Sequence, residues 1–137
     1  MDDFRQITST DQLPGDAAIT LARTAAEAIR GLNHATRGGA GLDQPSAAYD
    51  ILGALSQAAS GLPQLTAQIT RYLDHALTGG QLGHDRGEDP ALSVGGAIIF
   101  LDDARLSADA LAGDLNAAWQ QLAPINGRGP RTLKDQP

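Results

Sequence analysis

The feature that most limits how this chain can fold is a repeat of apolar residues at alternating three- and four-residue steps. It runs without a break through Val94, Ala97, Leu101, Ala104, Ala108, Leu111, Leu115, Ala118 and Leu122. This spacing places the residues on one side of an α-helix. Asp89 and Pro90 are helix-start signals and Pro124 interrupts the pattern, so the sequence predicts a helix over residues 90–123.

Two earlier segments carry the same helical periodicity. In the first, Asp16 is the candidate N-cap and the glycine-rich stretch 37–41 ends the pattern, which predicts a helix over 16–37. In the second, the start signals at 43–46 open a stripe that continues across Pro63 as far as the glycines at 79–80. Because proline lacks the backbone N–H, two helices joined by a kink or a corner are expected within 46–78.

Together these patterns predict an all-α fold, a bundle of about four helices. The simplest arrangement is a long antiparallel hairpin of 46–78 against 90–123, kinked near Pro63, with the helix 16–37 packed on it. Residues 1–15 are expected to form an N-terminal arm and 16–123 the bundle domain. The tail 124–137 is rich in glycine, proline and charge, which predicts a disordered basic segment.

The apolar content indicates a thin core and a second covered surface. The chain has 24 alanines and 18 leucines but only five aromatic residues, so each core position buries little apolar area. The last helix also carries apolar residues around more of its circumference than one partner helix covers. We therefore predict self-association, with a dimer favoured, through Val94, Ile98, Leu101, Leu111, Leu115, Trp119 and Leu122. The alternative is a compact monomer in which the helix 16–37 covers the second side.

No motif for catalysis, cofactor binding or metal binding is recognisable. The chain has no cysteine, and its three histidines lie outside the four-residue spacings of helical metal sites. The glycine-rich loops lack the lysine and hydroxyl residue of a phosphate loop, and no nucleophile elbow is present. Asp102, Arg105 and Asp109 have the spacing of an exposed, ion-paired helix surface. We predict that the protein is not an enzyme and holds no cofactor or metal.

The charge distribution argues against a nucleic-acid-binding protein. The net charge is −6 and the pI about 4.7. A DNA-associated accessory role through Arg128, Arg131 and Lys134 of the tail stays open as an alternative. No signal peptide and no apolar run long enough to span a membrane is evident, which predicts a cytoplasmic protein that does not enter the membrane.

A resemblance to known proteins rests on three stretches, Ala48-Tyr49-Asp50-Ile51-Leu52-Gly53-Ala54-Leu55, Leu62-Pro63-Gln64-Leu65 and Arg71-Tyr72-Leu73. This pattern resembles small, uncharacterised, alanine-rich helical proteins of high-G+C actinobacteria. The resemblance implies a bacterial helical protein and assigns no functional residues. The function that the sequence favours is a non-enzymatic module for helical protein–protein interaction and oligomerisation. A helical bundle that binds a small ligand, or an enzyme without a recognisable motif, is the alternative.

Overall fold

Three long helices make up most of the chain in a computed structural model that describes residues 14–39 and 41–128. They are α1 (Pro14–Ala35), α2 (Pro45–Thr78) and α3 (Pro90–Leu122), and a short 3₁₀ turn, Arg37–Gly39, follows α1. No strand occurs in the described residues, so the all-α prediction is confirmed there. The chain divides into two units, one ending at Asp43 and the other beginning at Gln44.

The predicted number of helices is wrong by one because α2 continues through Pro63. The proline ring removes the N–H that would bond to the carbonyl of Ala59. Side-chain hydroxyls donate to nearby carbonyls on both sides: Ser60 Oγ to the Ser56 oxygen at 2.8 Å, and Thr66 Oγ1 to the Leu62 oxygen at 3.0 Å. The segments expected as two helices are therefore one element of 34 residues, and a full corner at Pro63 is excluded.

The ends of α2 and α3 follow the local signals in the sequence. At the end of α2, Gly80 adopts a φ of 69°, and the N–H groups of Gly80 and Gln81 donate to the oxygens of Leu77 and Ala76. This is the glycine cap of a Schellman motif, in which the left-handed conformation favours glycine. At the start of α3, Asp89 Oδ1 accepts a hydrogen bond from the N–H of Ala91 at 3.0 Å. The start of this helix predicted at Asp89 and Pro90 is thus confirmed.

Replacing the N-cap Asp89 by alanine is expected to lower the free energy of unfolding by about 1 kcal/mol, since the first turn of α3 loses its side-chain acceptor. Urea unfolding followed by circular dichroism measures the change. Asp85→Ala, in the same loop and with an exposed side chain, is the control and is expected to have less than half that effect. Equal effects of the two variants would contradict the capping role.

The first unit contains α1, which begins and ends two residues before the predicted range 16–37. Asp16 lies in the first turn rather than at the N-cap, where its carboxylate is still favoured by the helix dipole. Glu27 forms an ion pair with Arg30 at 3.1 Å. The packing of this helix on the hairpin stays a prediction. The predicted arm 1–15 and tail 124–137 lie largely outside the described residues, which begin at Pro14 and end at Arg128.

In the second unit, α2 and α3 pack side by side in opposite directions. The ring of Tyr49, near the start of α2, lies against that of Trp119, near the end of α3, and Ala67 and Thr70 share a groove with Ile98 and Arg105. We refer to this pair of helices as the hairpin. Its buried residues within the described part of the chain are small: Ala59, Ala76, Ala108 and Ser56. No large side chain there is completely enclosed, as expected for an alanine-rich core.

Candidate functional site

The interface between α2 and α3 follows a strict alternation of four- and three-residue steps. On α3, the least exposed side chains are Val94, Ile98, Leu101, Arg105, Ala108, Ala112, Leu115, Trp119 and Leu122. On α2, the positions with this spacing are Tyr49, Leu52, Ser56, Ala59, Pro63, Thr66, Thr70, Leu73 and Leu77, and Ala76 is buried beside Leu77. This is the spacing of helices that pack at a shallow angle. We refer to these two sets as the α2–α3 interface.

The residues predicted for self-association divide between this interface and the surface. Val94, Ile98, Leu101, Leu115, Trp119 and Leu122 belong to the α2–α3 interface and are half-buried. Leu111 lies outside it and is 48% exposed. The apolar repeat of α3 alternates between positions in the α2–α3 interface and positions on the surface. The surface positions are Ala97, Ala104, Leu111 and Ala118. Each lies one residue before an interface position, namely Ile98, Arg105, Ala112 and Trp119. A prediction from apolar spacing alone therefore does not distinguish the interface residues from the surface residues.

One broad side of the hairpin is polar and holds two open grooves. Asp50, Gln57 and Arg71, spaced by multiples of seven residues, line the grooves from α2. Asp102 and Asn116, likewise spaced, line them from α3. Because a seven-residue step returns to the same side of a packed helix, both grooves open in the same direction. We call this side the polar face.

The opposite side of the hairpin is apolar, and we call it the apolar face. On α2 it contains Ala48, Ile51, Leu55, Ala58, Leu62, Leu65, Ile69, Tyr72 and Ala76, and on α3 it contains Ala97, Ala104, Leu111 and Ala118. No charged residue interrupts the row on α2, whereas on α3 the positions equivalent to Ile51, Ala58, Leu65 and Tyr72 are Phe100, Ser107, Asp114 and Gln121. Leu65, Ile69 and Tyr72 are 50%, 42% and 64% exposed. At the named positions the apolar face thus lacks the polar and charged residues Ser56, Thr66, Thr70 and Arg105 of the α2–α3 interface. Its part from Leu62 to Tyr72 is open to solvent, whereas Ala48, Ile51 and Leu55 are half-buried and Ala76 is 2% exposed.

An aromatic pair joins the two helices at the edge of the polar face. The rings of Tyr49 and Trp119 are stacked, with centroids 5.2 Å apart and planes inclined by 24°. Gly53, one turn after Tyr49, makes room for the indole, because a Cβ atom at this position would lie 2.9 Å from Trp119 Nε1. This contact was not predicted from the sequence. A glycine inside a strong helical pattern was the signal that marked it, since such a residue often allows a close approach.

Alanine substitution at two glycines of α2 tests this packing. Gly61→Ala is expected to raise the free energy of unfolding by about 1 kcal/mol, because nothing lies near the added methyl group and alanine favours the helix. Gly53→Ala gains the same helix preference, but its methyl group must displace the Trp119 ring. Its free energy of unfolding is therefore expected to be at least about 1 kcal/mol lower than that of Gly61→Ala. Chemical denaturation of both variants measures the difference. Equal stabilisation by the two variants would show that the packing of Trp119 on α2 does not need the space left by Gly53.

The second groove is lined by charged residues from both helices: Arg71 and Asp74 from α2, Asp102 and Arg105 from α3. The expected ion pairs of Arg105 with Asp102 and Asp109 are absent from the salt bridges formed by the described residues. Arg105 is instead half-buried at the α2–α3 interface. This packing is typical of an arginine whose alkyl chain covers apolar surface while its guanidinium stays near water.

The histidines do not assemble a metal centre in the part of the chain that the structure describes. Within residues 14–39 and 41–128, no cluster of three potential metal-ligating side chains is found. His84 is engaged locally: its Nδ1 accepts from the N–H of Arg86 at 3.1 Å, and its Nε2 lies 3.6 Å from Glu88 Oε2.

None of the described helices has the combination of length and apolar character needed to cross a bilayer.

Comparisons with protein-family models, curated proteins and solved structures give no match for this chain. The resemblance to actinobacterial helical proteins therefore stays a prediction.

Proposed function

We propose that this protein is a non-enzymatic helical module that self-associates through the apolar face of the α2–α3 hairpin. The observation that carries the proposal is the exposure of Leu62, Leu65, Ile69 and Tyr72 as one continuous row. Contiguous apolar surface on a protein marks an interaction site. The partner we propose is a second copy of the chain, so that two hairpins form a four-helix bundle.

The composition of the apolar face suits helix packing. The row on α2 is formed mainly by leucine and isoleucine, whereas three of the four positions on α3 are alanine. A ridge of large side chains beside a shallow row of small ones allows two hairpins to interdigitate at short distances between helix axes. Charged side chains would have to be desolvated in such an interface, and the row on α2 lacks them, while on α3 Asp114 lies at its outer edge.

The exposed part of the apolar face has the size of a weak, concentration-dependent interface. The exposed row on α2 extends about 15 Å from Leu62 to Tyr72, and that on α3 about 32 Å from Ala97 to Ala118, at 1.5 Å per residue. With about 10 Å of width for each helix, the footprint is roughly 500 Å². Stable protein–protein interfaces bury about 800 Å² on each partner, and transient ones bury less.

The proposed interface revises the one expected from the sequence. Six of the seven predicted residues already pack between α2 and α3, and Leu111 is the member that the apolar face retains. Because the interface is self-complementary, each residue contributes twice in a two-fold symmetric dimer. We also propose that the protein acts in the cytoplasm, where an acidic surface favours solubility.

Light scattering coupled to size-exclusion chromatography tests the proposal. The expected molar mass is twice the chain mass of 14.2 kDa, falling toward a single chain on dilution. A molar mass of one chain at every concentration up to the millimolar range would overturn the proposal.

A further inference from the structure

The groove beside the aromatic pair has the features of a site for a cationic side chain. It has a volume of about 530 Å³ and lies within a single hairpin, on the face opposite to the proposed association surface. Its walls are Tyr49 and Trp119 on one side and the polar side chains of Asp50, Gln57 and Asn116 around them. The space is large enough for one long side chain together with its backbone.

The groove offers hydrogen-bond acceptors and a single negative charge. Asp50 is exposed and carries the one carboxylate among the lining residues. The side-chain oxygens of Gln57 and Asn116 are further acceptors. The hydroxyl of Ser60 already donates to the carbonyl of Ser56 at 2.8 Å, which leaves its oxygen able to accept. No basic residue lines this groove, in contrast to the second one.

The charge of the surrounding unit points to the same class of ligand. Residues 44–128 contain nine acidic residues against four arginines, so this unit attracts cations. A positive charge beside the face of tyrosine or tryptophan is further stabilised by the ring quadrupole. Between the two basic side chains, the planar guanidinium of arginine stacks on aromatic rings and bridges a carboxylate, while the ammonium of lysine is more strongly hydrated.

We propose that this groove binds an arginine side chain presented by an extended segment of a partner protein. The guanidinium stacks against the Tyr49–Trp119 pair and donates to Asp50 and to the amide oxygens. Gly53 holds the indole in place, because any larger residue would displace it from α2. Since the site belongs to one hairpin, its binding is independent of self-association.

The single tryptophan of the chain provides the measurement. The fluorescence of Trp119 is followed while the blocked tripeptide acetyl-Gly-Arg-Gly-amide is added from micromolar to millimolar concentration. A saturable change is expected, with at least about tenfold weaker binding of the uncharged Gly-Gln-Gly analogue. Asp50→Asn is expected to weaken arginine-peptide binding by about fivefold. Asp74→Asn, an exposed acid of α2 outside this groove, is expected to leave it unchanged.

Several results would overturn the proposal. They are the absence of a saturable signal with the wild type, equal binding of the glutamine peptide, and equal binding by Asp50→Asn and Asp74→Asn. Asn116→Ala, which removes a groove amide without changing the charge, provides a second variant. It too is expected to weaken binding, and circular dichroism verifies that each variant is folded. Dimerisation with no peptide binding would refute the groove alone, and peptide binding by a strictly monomeric protein would refute the association alone.

Discussion

Replacing Ile69 by aspartate is expected to convert the assembled protein into single chains of 14.2 kDa. Ile69 lies at the centre of the exposed row on the apolar face, and two-fold symmetry brings two copies of the substitution into one interface. Burying an unpaired carboxylate in an apolar contact is costly, so the dissociation constant is expected to rise by roughly 100-fold or more. Sedimentation equilibrium over a concentration series measures this change.

The control for this prediction is Gln64→Asp. Gln64 is exposed on α2 and belongs to the row of Asp50, Gln57 and Arg71 on the polar face. Its replacement by aspartate adds the same charge as Ile69→Asp but places it outside the proposed interface. A second matched set lies on α3, where Leu111→Asp is expected to dissociate the protein and the exposed neighbour Ala110→Asp is not. If Gln64→Asp and Ile69→Asp dissociate the protein equally, net charge and not the apolar face controls association.

The second large effect is expected at Trp119. Trp119→Ala is expected to lower the free energy of unfolding by about 2 kcal/mol, because the indole is half-buried and stacks on Tyr49 at 5.2 Å. The exposed neighbour Gln120→Ala is the control, with an expected effect below about 0.5 kcal/mol. Denaturant unfolding followed by circular dichroism gives both values. Equal effects would show that the aromatic pair contributes nothing to the hairpin.

A variant of Trp119 also distinguishes between two association interfaces, the one expected from the sequence and the one proposed from the structure. If Trp119 lay between two subunits, its truncation would weaken association directly. Because it lies at the α2–α3 interface, we expect Trp119→Phe, which retains an aromatic ring, to lower stability while the molar mass at high concentration stays that of the wild type. Dissociation of a folded Trp119→Phe protein would support the original assignment.

The helix boundaries were predictable because strong local signals determine them. Asp89 followed by Pro90 fixes the start of α3 through one side-chain hydrogen bond, and the glycines at 79–80 end α2 through a left-handed turn. The break predicted at Pro63 is wrong because proline interrupts isolated helices, whereas this helix is held together by its packing on α3. Pro63 is half-buried at a position of the α2–α3 interface, and this packing favours a continuous helix although the carbonyl of Ala59 loses its partner.

The choice of packing surface was less predictable. Apolar periodicity identifies the most apolar row of each helix, and on the second half of α2 this is the row of Leu62, Leu65, Ile69 and Tyr72. The structure instead directs Thr66 and Thr70 toward α3 and leaves that row exposed. Sequence periodicity cannot assign two adjacent rows to two partners. The Tyr49–Trp119 contact was equally hidden, because the two residues are brought together only by the antiparallel packing of α2 and α3.

Thiol accessibility tests directly whether a second chain covers the apolar face, because the chain contains no cysteine and each introduced thiol reports on one position. Leu65→Cys places one thiol on the apolar face, and Gln64→Cys places one on the adjacent polar side. As the protein concentration rises through the association range, the labelling rate of Leu65→Cys is expected to fall by about tenfold while that of Gln64→Cys stays constant. Equal rates at every concentration would contradict the account. Protection of Leu65→Cys that does not depend on concentration would contradict it too, since the covering surface would then belong to the same chain.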